Sequence, residues 1–329
     1  MNRHGTRIAA AALALLALAG PAAAQDAIRI GTSSVGSVFY TVAIGASEII
    51  TKHAKINATA EPVGGSSANI RGLAAERIEF ALANSFAAFT GYYGTHNFKK
   101  PVDVRLVVQG QASYRWMLVR KGSGVTKLSD LKGKTIVAKR RALPEIELVW
   151  KAMQKISGVT DVKAVATTNS PQAYKAFRAG SIAAGVMPFS RRAAAVAKPM
   201  QDGVIDFLYL SKADRDAMLE HLPPMMWAGK FPKGTYKGQS KDVHLVGLNT
   251  YFLTRPGVSD DTVYKVAKAI LENTEEFGTY HKAALQWNLD RALKNVPLPF
   301  HDGAIAYFKE KGLWTAALEA NQKKLLARK

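Results

Sequence analysis

Gly31-Thr32-Ser33-Ser34-Val35-Gly36-Ser37-Val38-Phe39-Tyr40 is the stretch on which the fold turns. Before it, Ile28-Arg29-Ile30 reads as a short apolar strand. After it, Phe39, Val42, Ala43, Ala46, Ile49 and Ile50 recur at helical spacing. A strand therefore enters a helix through a turn of Gly, Ser and Thr. Small hydroxyl residues there can cap the helix, whose free N–H groups carry positive partial charge. Such a corner is either an ordinary capped connection or a seat for a carboxylate or phosphate.

The corner recurs. Asn57–Val63 reads as a strand ending at Gly64-Gly65-Ser66-Ser67-Ala68-Asn69, with Ser66 or Ser67 as the expected cap. Glu79–Ala83 is a third strand, running into Asn84-Ser85 and a short helix. Strand–helix alternation of this kind implies a parallel α/β sheet, whose strand ends share one edge where ligands bind.

Leu106–Val108 and Trp116–Val119 read as two further strands, with Lys121-Gly122-Ser123-Gly124 as the crossing into a second α/β unit. There the strand Thr135–Ala138 ends in the cationic corner Lys139-Arg140-Arg141-Ala142. The strand Ile182–Met187 ends in Pro188-Phe189-Ser190-Arg191-Arg192, and Ile205–Leu210 is another strand. Val243–Leu253 reads as the return crossing, and the remainder as mostly helical. The expected division is a signal segment at 1–24, one lobe from 25–115 with 245–329, and a basic second lobe from 116–244.

The first 24 residues combine Arg3 and Arg7, an apolar run Ile8–Ala19 too short to span a bilayer, and Ala22-Ala23-Ala24 as a cleavage site. They imply a secretory signal and a periplasmic, soluble mature chain from Gln25. With no Cys in the sequence, disulfides, thiolate metal sites and Cys nucleophiles are excluded. The formal net charge is +20, and residues 116–244 hold 22 Lys/Arg against 10 Asp/Glu. That excess suits an anionic ligand or is simply a basic surface; no basic helix or aromatic RNA-binding signature points to nucleic acid. The histidines form no close ligand pair, and no nucleophile elbow or phosphate loop is present. No catalytic residue, metal or cofactor is assigned.

The candidate ligand-binding residues are therefore the corner residues: Ser33, Ser34, Gly36 and Ser37, with Tyr40 either over a ligand or packed on the sheet. Beside them stand Gly65, Ser66, Ser67 and Asn69, then Asn84 and Ser85. From the second unit come Arg140, Arg141 and Ser190. Each has a plain alternative as a cap, a turn former or a solvated basic side chain.

Four segments resemble the TAXI family of solute receptors for tripartite ATP-independent periplasmic (TRAP) transporters. They are Gly31–Tyr40, Gly64–Leu73, Phe231-Pro232-Lys233-Gly234-Thr235-Tyr236-Lys237-Gly238-Gln239, and Pro297–Ala304 with Tyr307-Phe308 and Glu310-Lys311-Gly312. The resemblance runs from residue 28 to 312. It implies a type II periplasmic-binding-protein fold, two α/β lobes joined by crossing hinge strands with the ligand cleft between them. It also implies a non-enzymatic receptor acting as a monomer, whose partners are a small anionic ligand and the membrane subunits of a TRAP-type transporter. Ser33, Tyr40, Gly65, Ser66 and Asn69 would lie near the ligand, and Tyr236 joins the candidates through the third segment. Where relatives carry a neutral Gly-Ser-Gly-Thr turn, this chain has Lys139–Pro144, so a more anionic ligand such as a dicarboxylate is expected, held partly by Arg140 or Arg141. A 2-oxo acid or acidic amino acid is the neighbouring expectation. A sensor-kinase receptor, or an exported hydrolase or transferase on the same scaffold, are the alternatives.

Overall fold

A computed structural model describes residues 27–294 and 296–327; the expected signal segment 1–24 lies outside the described residues. The strands are β1 Ala27–Gly31, β2 Asn57–Glu61, β3 Phe80–Asn84, β4 Arg105–Arg120, β5 Thr135–Lys139, β6 Lys163–Ala166, β7 Ala184–Phe189, β8 Ile205–Phe207, β9 Trp227–Phe231 and β10 Val243–Thr254. The helices needed below are α1 Val38–Ile49, α2 Ser66–Ala74, α3 Ser85–Tyr93, α4 Glu145–Ser157, α5 Ser170–Arg178 and α6 Ala194–Gln201. Further helices cover Lys212–Glu220 and much of Asp260–Leu326.

The strands join one curled mixed sheet in the order β2-β1-β3-β10-β4-β7-β5-β6, with β8 on β4 and β9 on β10. Its two halves repeat one plan. β2, β1 and β3 run parallel and are closed by antiparallel β10; β6, β5 and β7 run parallel and are closed by antiparallel β4. Each lobe thus takes three strands from its own segment and a fourth from a strand crossing between lobes. β4 and β10 pair with each other from Arg105↔Thr254 to Arg115↔Val246 and form the spine. This is the bilobal α/β arrangement that the strand–helix alternation implied.

β4 corrects one expectation. The two strands read from Leu106–Val108 and Trp116–Val119 are one continuous strand of 16 residues, and Lys121–Gly124 is only the turn that follows it. The passage between lobes occurs inside the strand. Val107 and Val108 join a core that holds Ile28–Val104 residues and Tyr251–Phe308 residues, whereas Trp116, Met117 and Leu118 join clusters that, apart from Phe86, lie between residues 116 and 248. The polar run Gln109–Gln111 hid this continuity, because apolar periodicity is the signal by which strands are read. The helix Lys212–Glu220 went unread for the same reason, since it carries more polar than apolar residues, and β9, only five residues long, is interrupted by Gly229 and Lys230.

Close packing fixes the centre of the spine. Gly110 of β4 lies under the Trp287 ring, and a Cβ there would sit 2.1 Å from the indole carbons. Trp287 is itself fully buried against Phe252 and Phe277. Gly110→Ala is therefore expected to lower the unfolding free energy by about 1–3 kcal/mol, the usual cost of overpacking, as measured by urea denaturation. A change within experimental error would show that the ring moves aside freely.

Candidate functional site

The parallel strands of each lobe end on the same edge, and the two edges face each other. β1 ends at Thr32–Gly36, β2 at Gly64–Gly65, β3 at Asn84, β5 at Arg140–Leu143, β6 at Thr167–Asn169 and β7 at Ser190. Residues from all six corners line a single cleft of about 590 Å³, whose floor is Gln111, Ala112, Ser113 and Arg115 of β4. A crevice at the carboxyl ends of parallel strands is where α/β sheets place ligands. The size suits a small organic molecule.

Local chemistry holds the first-lobe corners in register. The Thr32 N–H donates to the Glu61 carbonyl at 2.8 Å, and the Thr32 carbonyl accepts from Gly64 and Gly65. Beneath them the Asn69 amide donates to the carbonyls of Gly31 (3.0 Å) and Leu82 (2.7 Å), tying β1 to β3. The Ser66 hydroxyl accepts from the Asn84 N–H at 3.1 Å. Ser37 caps α1, its hydroxyl accepting from the Tyr40 N–H, and Asn84 caps α3 through the Ala87 N–H. At α2 the cap is Gly65 rather than Ser66 or Ser67. Gly65 adopts φ 104°, a region closed to most side chains, and that leaves Ser66 inside the helix with its hydroxyl free for Asn84.

Of the sequence candidates, Ser33, Ser34, Gly36, Ser37, Gly65, Ser66, Asn84, Arg140 and Ser190 line the cleft. The others lie elsewhere. Phe39, not Tyr40, faces the cavity. The Ser67 hydroxyl accepts from Asn97. Asn69 is buried in its fastening role beneath the corners. The Ser85 hydroxyl accepts from the Asn249 N–H. Arg141 is exposed outside the cavity. Tyr236 packs on Trp116 and Phe207, where burial pushes its hydroxyl up to about 12. Hydroxyl and amide residues both fasten corners and line them, so residue type alone could not separate the two groups.

The structure adds residues that the sequence did not single out. Arg115 and Glu145 are 2% and 0% exposed and form a buried ion pair, reinforced by Arg115 Nε to Glu145 Oε1 at 3.2 Å. Asn84 Nδ2 also donates to Glu145 Oε1 at 2.8 Å. A first-lobe corner, the spine and the start of a second-lobe helix thus meet at one carboxylate. Thirty positions separate Arg115 from Glu145, so only the topology brings them together. Tyr174, Asn169, Arg178 and Lys198 complete the second-lobe wall.

The electrostatics have one sign. Among the described lining residues are Arg115, Arg140, Arg178 and Lys198, and no Asp or Glu. Glu145 balances Arg115, which leaves Arg140 as the cation of the inner cleft. Burial lowers the Arg140 pKa from its ordinary value, with the nearby Glu145 opposing, and its Nε has no partner among the described residues. The Tyr174 hydroxyl is likewise buried without a partner, and burial raises its pKa. The starts of α1, α5 and α6 also open onto the cavity, adding the positive ends of their dipoles. Apolar groups share the wall: Val38, Phe39, Leu143, Pro171, Phe189 and Pro199, with Val35 72% exposed at the mouth. Among the described residues, no three His, Asp or Glu side chains are placed to hold a metal ion.

The family model described as the NMT1-like family matches residues 30–312, most of the sequence, and the chain belongs to that family. Among solved structures the chain is similar to MatC from Rhodopseudomonas palustris with bound malate, at 12% identity and a TM-score of 0.55, covering 92% of this chain and 98% of that one. It is also similar to the periplasmic sulfonate-binding protein SsuA from Methylobacillus flagellatus KT, at 18% identity, TM-score 0.48 and 88% of each chain. A third is an ancestral arginine-binding protein bound to arginine, at 19% identity and TM-score 0.45, covering 79% and 97%. The MatC likeness shows the fold, that of the bilobal periplasmic binding proteins.

The buried pair gives a stability test. Glu145→Gln keeps shape but strips Arg115 of its counter-charge, at an expected cost of about 3–5 kcal/mol. Arg115→Met combined with Glu145→Leu removes both charges and is expected to cost less than Glu145→Gln alone. Urea denaturation of the two variants and the unmutated protein reads this directly; a double variant less stable than Glu145→Gln contradicts it.

Proposed function

We propose that this NMT1-like family member is a periplasmic solute receptor that captures a small organic acid and delivers it, as a monomer, to the membrane subunits of a TRAP-type transporter. The observation that carries the reading is the guanidinium of Arg140. It stands largely buried with an unpartnered Nε, in a cleft whose charged lining residues are all cationic. A buried guanidinium N–H without an acceptor is costly, and a carboxylate bound to it relieves that cost through a charge-assisted hydrogen bond. Hydroxyls of Ser33, Ser37 and Ser190 and the start of α1 supply further donors. The four TAXI-like segments, spread from 28 to 312, support the transporter partnership, and the signal-like 1–24 supports the compartment.

In this reading the lobes comprise 25–115 with 245–329, and 116–244, with the hinge in β4 and β10. The ligand bridges Ser33–Ser37 on one side and Arg140 with Tyr174 on the other. Closure around it excludes water and strengthens those contacts.

A thermal-shift screen of dicarboxylates, 2-oxo acids and acidic amino acids is expected to find acids that raise the melting temperature, because a ligand bound only by the folded state stabilises it. Isothermal titration of the best acid is then expected to show Arg140→Ala weakening binding about tenfold or more, with Arg141→Ala unchanged. Equal affinity of Arg140→Ala and the unmutated protein would overturn the assignment.

A further inference from the structure

The spine carries an irregularity at the cleft floor. Asn249 pairs with Ala112 and Tyr251 with Gln109, two steps along β10 against three along β4. β4 therefore holds one extra residue, at Gly110–Gln111. Bulges of this kind re-aim a side chain and recur beside functional sites. This one is clamped from the first lobe. Trp287 fills the space where a Gly110 side chain would stand, and Arg291 Nε donates to the Gly110 carbonyl at 3.3 Å.

The glutamines on either side of Gly110 have opposite fates. Gln109 is satisfied within the first lobe. Its Nε2 donates to the carbonyls of Arg291 (2.8 Å) and Lys294 (3.0 Å), and its Oε1 accepts from Asn249 Nδ2 at 3.0 Å. Gln111 lines the cleft and is 1% exposed, yet neither its Nε2 nor its Oε1 has a partner among the described residues. A buried amide with both ends unmade is unfavourable, and it lies in the same cavity as the unpartnered Arg140 Nε and Tyr174 hydroxyl.

We propose that Gln111, presented by the bulge, is the residue that selects the ligand, and that it reads a neutral group carrying a hydrogen-bond donor beside an acceptor, such as a primary carboxamide or a hydroxyl. Resting on the receptor reading above, this narrows the ligand to a monocarboxylic acid with such a group, its carboxylate on Arg140. A second carboxylate is disfavoured for two reasons. It would satisfy Gln111 Nε2 but set an anionic acceptor against Oε1. Nor would it find a free cation at the floor, since Glu145 already neutralises Arg115. Sites built to hydrogen-bond a neutral group reject analogues that cannot complete the pair.

Isothermal titration with two matched pairs tests this: succinate against succinamate, and glutarate against glutaramate. The unmutated protein is expected to bind the monoamide of at least one pair about tenfold or more tighter than its diacid. Gln111→Met is expected to erase that difference. If Gln111→Met does not fold, Gln111→Glu, which loses the donor, is expected to weaken the monoamide by about tenfold. A diacid bound as tightly as its monoamide, with Arg140→Ala weakening both, overturns the inference and leaves the anion-receptor reading standing. Binding of none of the four also overturns the inference. Failure of every acid in the wider thermal screen overturns the receptor reading with it.

Discussion

The pairing of β4 with β10 is the contact on which the rest of the molecule depends. Each strand closes the parallel sheet of one lobe while hydrogen-bonding to the other through the centre. Because β10 closes the first lobe and β4 the second, each lobe is completed by a strand that leads into the other. Backbone N–H and C=O groups in a buried sheet must be paired, so the two lobes cannot complete themselves without this crossing. The crossing also sets the two parallel edges face to face. The cleft is thus a consequence of the connectivity, and its floor is made of β4, one of the two strands that the lobes share.

Within that frame the distribution of charge is economical. Arg115 is too deep to stand alone, and Glu145, at the start of α4, meets it with help from Asn84. That leaves the inner cleft with the charge of Arg140 and a set of neutral donors. The excess of positive charge in residues 116–244, visible in composition, is therefore only partly a property of the site. Arg141 is exposed and does not line the cavity, and Arg178 and Lys198 belong to its outer wall. Alternating apolar patches such as Phe39, Leu143 and Phe189 mean that the bound molecule meets hydrocarbon as well as donors.

Much of the fold was legible because its signals are local. Gly31–Tyr40 announced a strand, a turn and a capped helix within ten residues, and Ser37 does cap α1. Asn84, Val243–Leu253 and the strand–helix alternation were legible on the same grounds. What escaped depends on contacts distant in sequence. The continuity of β4 was hidden by the polar residues Gln109 and Gln111, which are polar because one fastens a lobe and the other lines the cleft. Ser66 looked like a cap because its type fits one; the positive φ of Gly65 took that role and turned the hydroxyl to Asn84. The Arg115–Glu145 pair and the bulge at Gly110–Gln111 require the register of a folded sheet, which spacing along the chain does not encode.

The central claim is that one cleft, bounded by six strand ends and floored by β4, holds an acid on Arg140. A crystal structure grown with the acid that most raises the melting temperature tests it most directly. The account predicts the acid in this cleft, its carboxylate within hydrogen-bonding distance of the Arg140 guanidinium and its remaining polar group facing Gln111. An acid seated anywhere else on the protein, or seated here with its carboxylate away from Arg140, would contradict it.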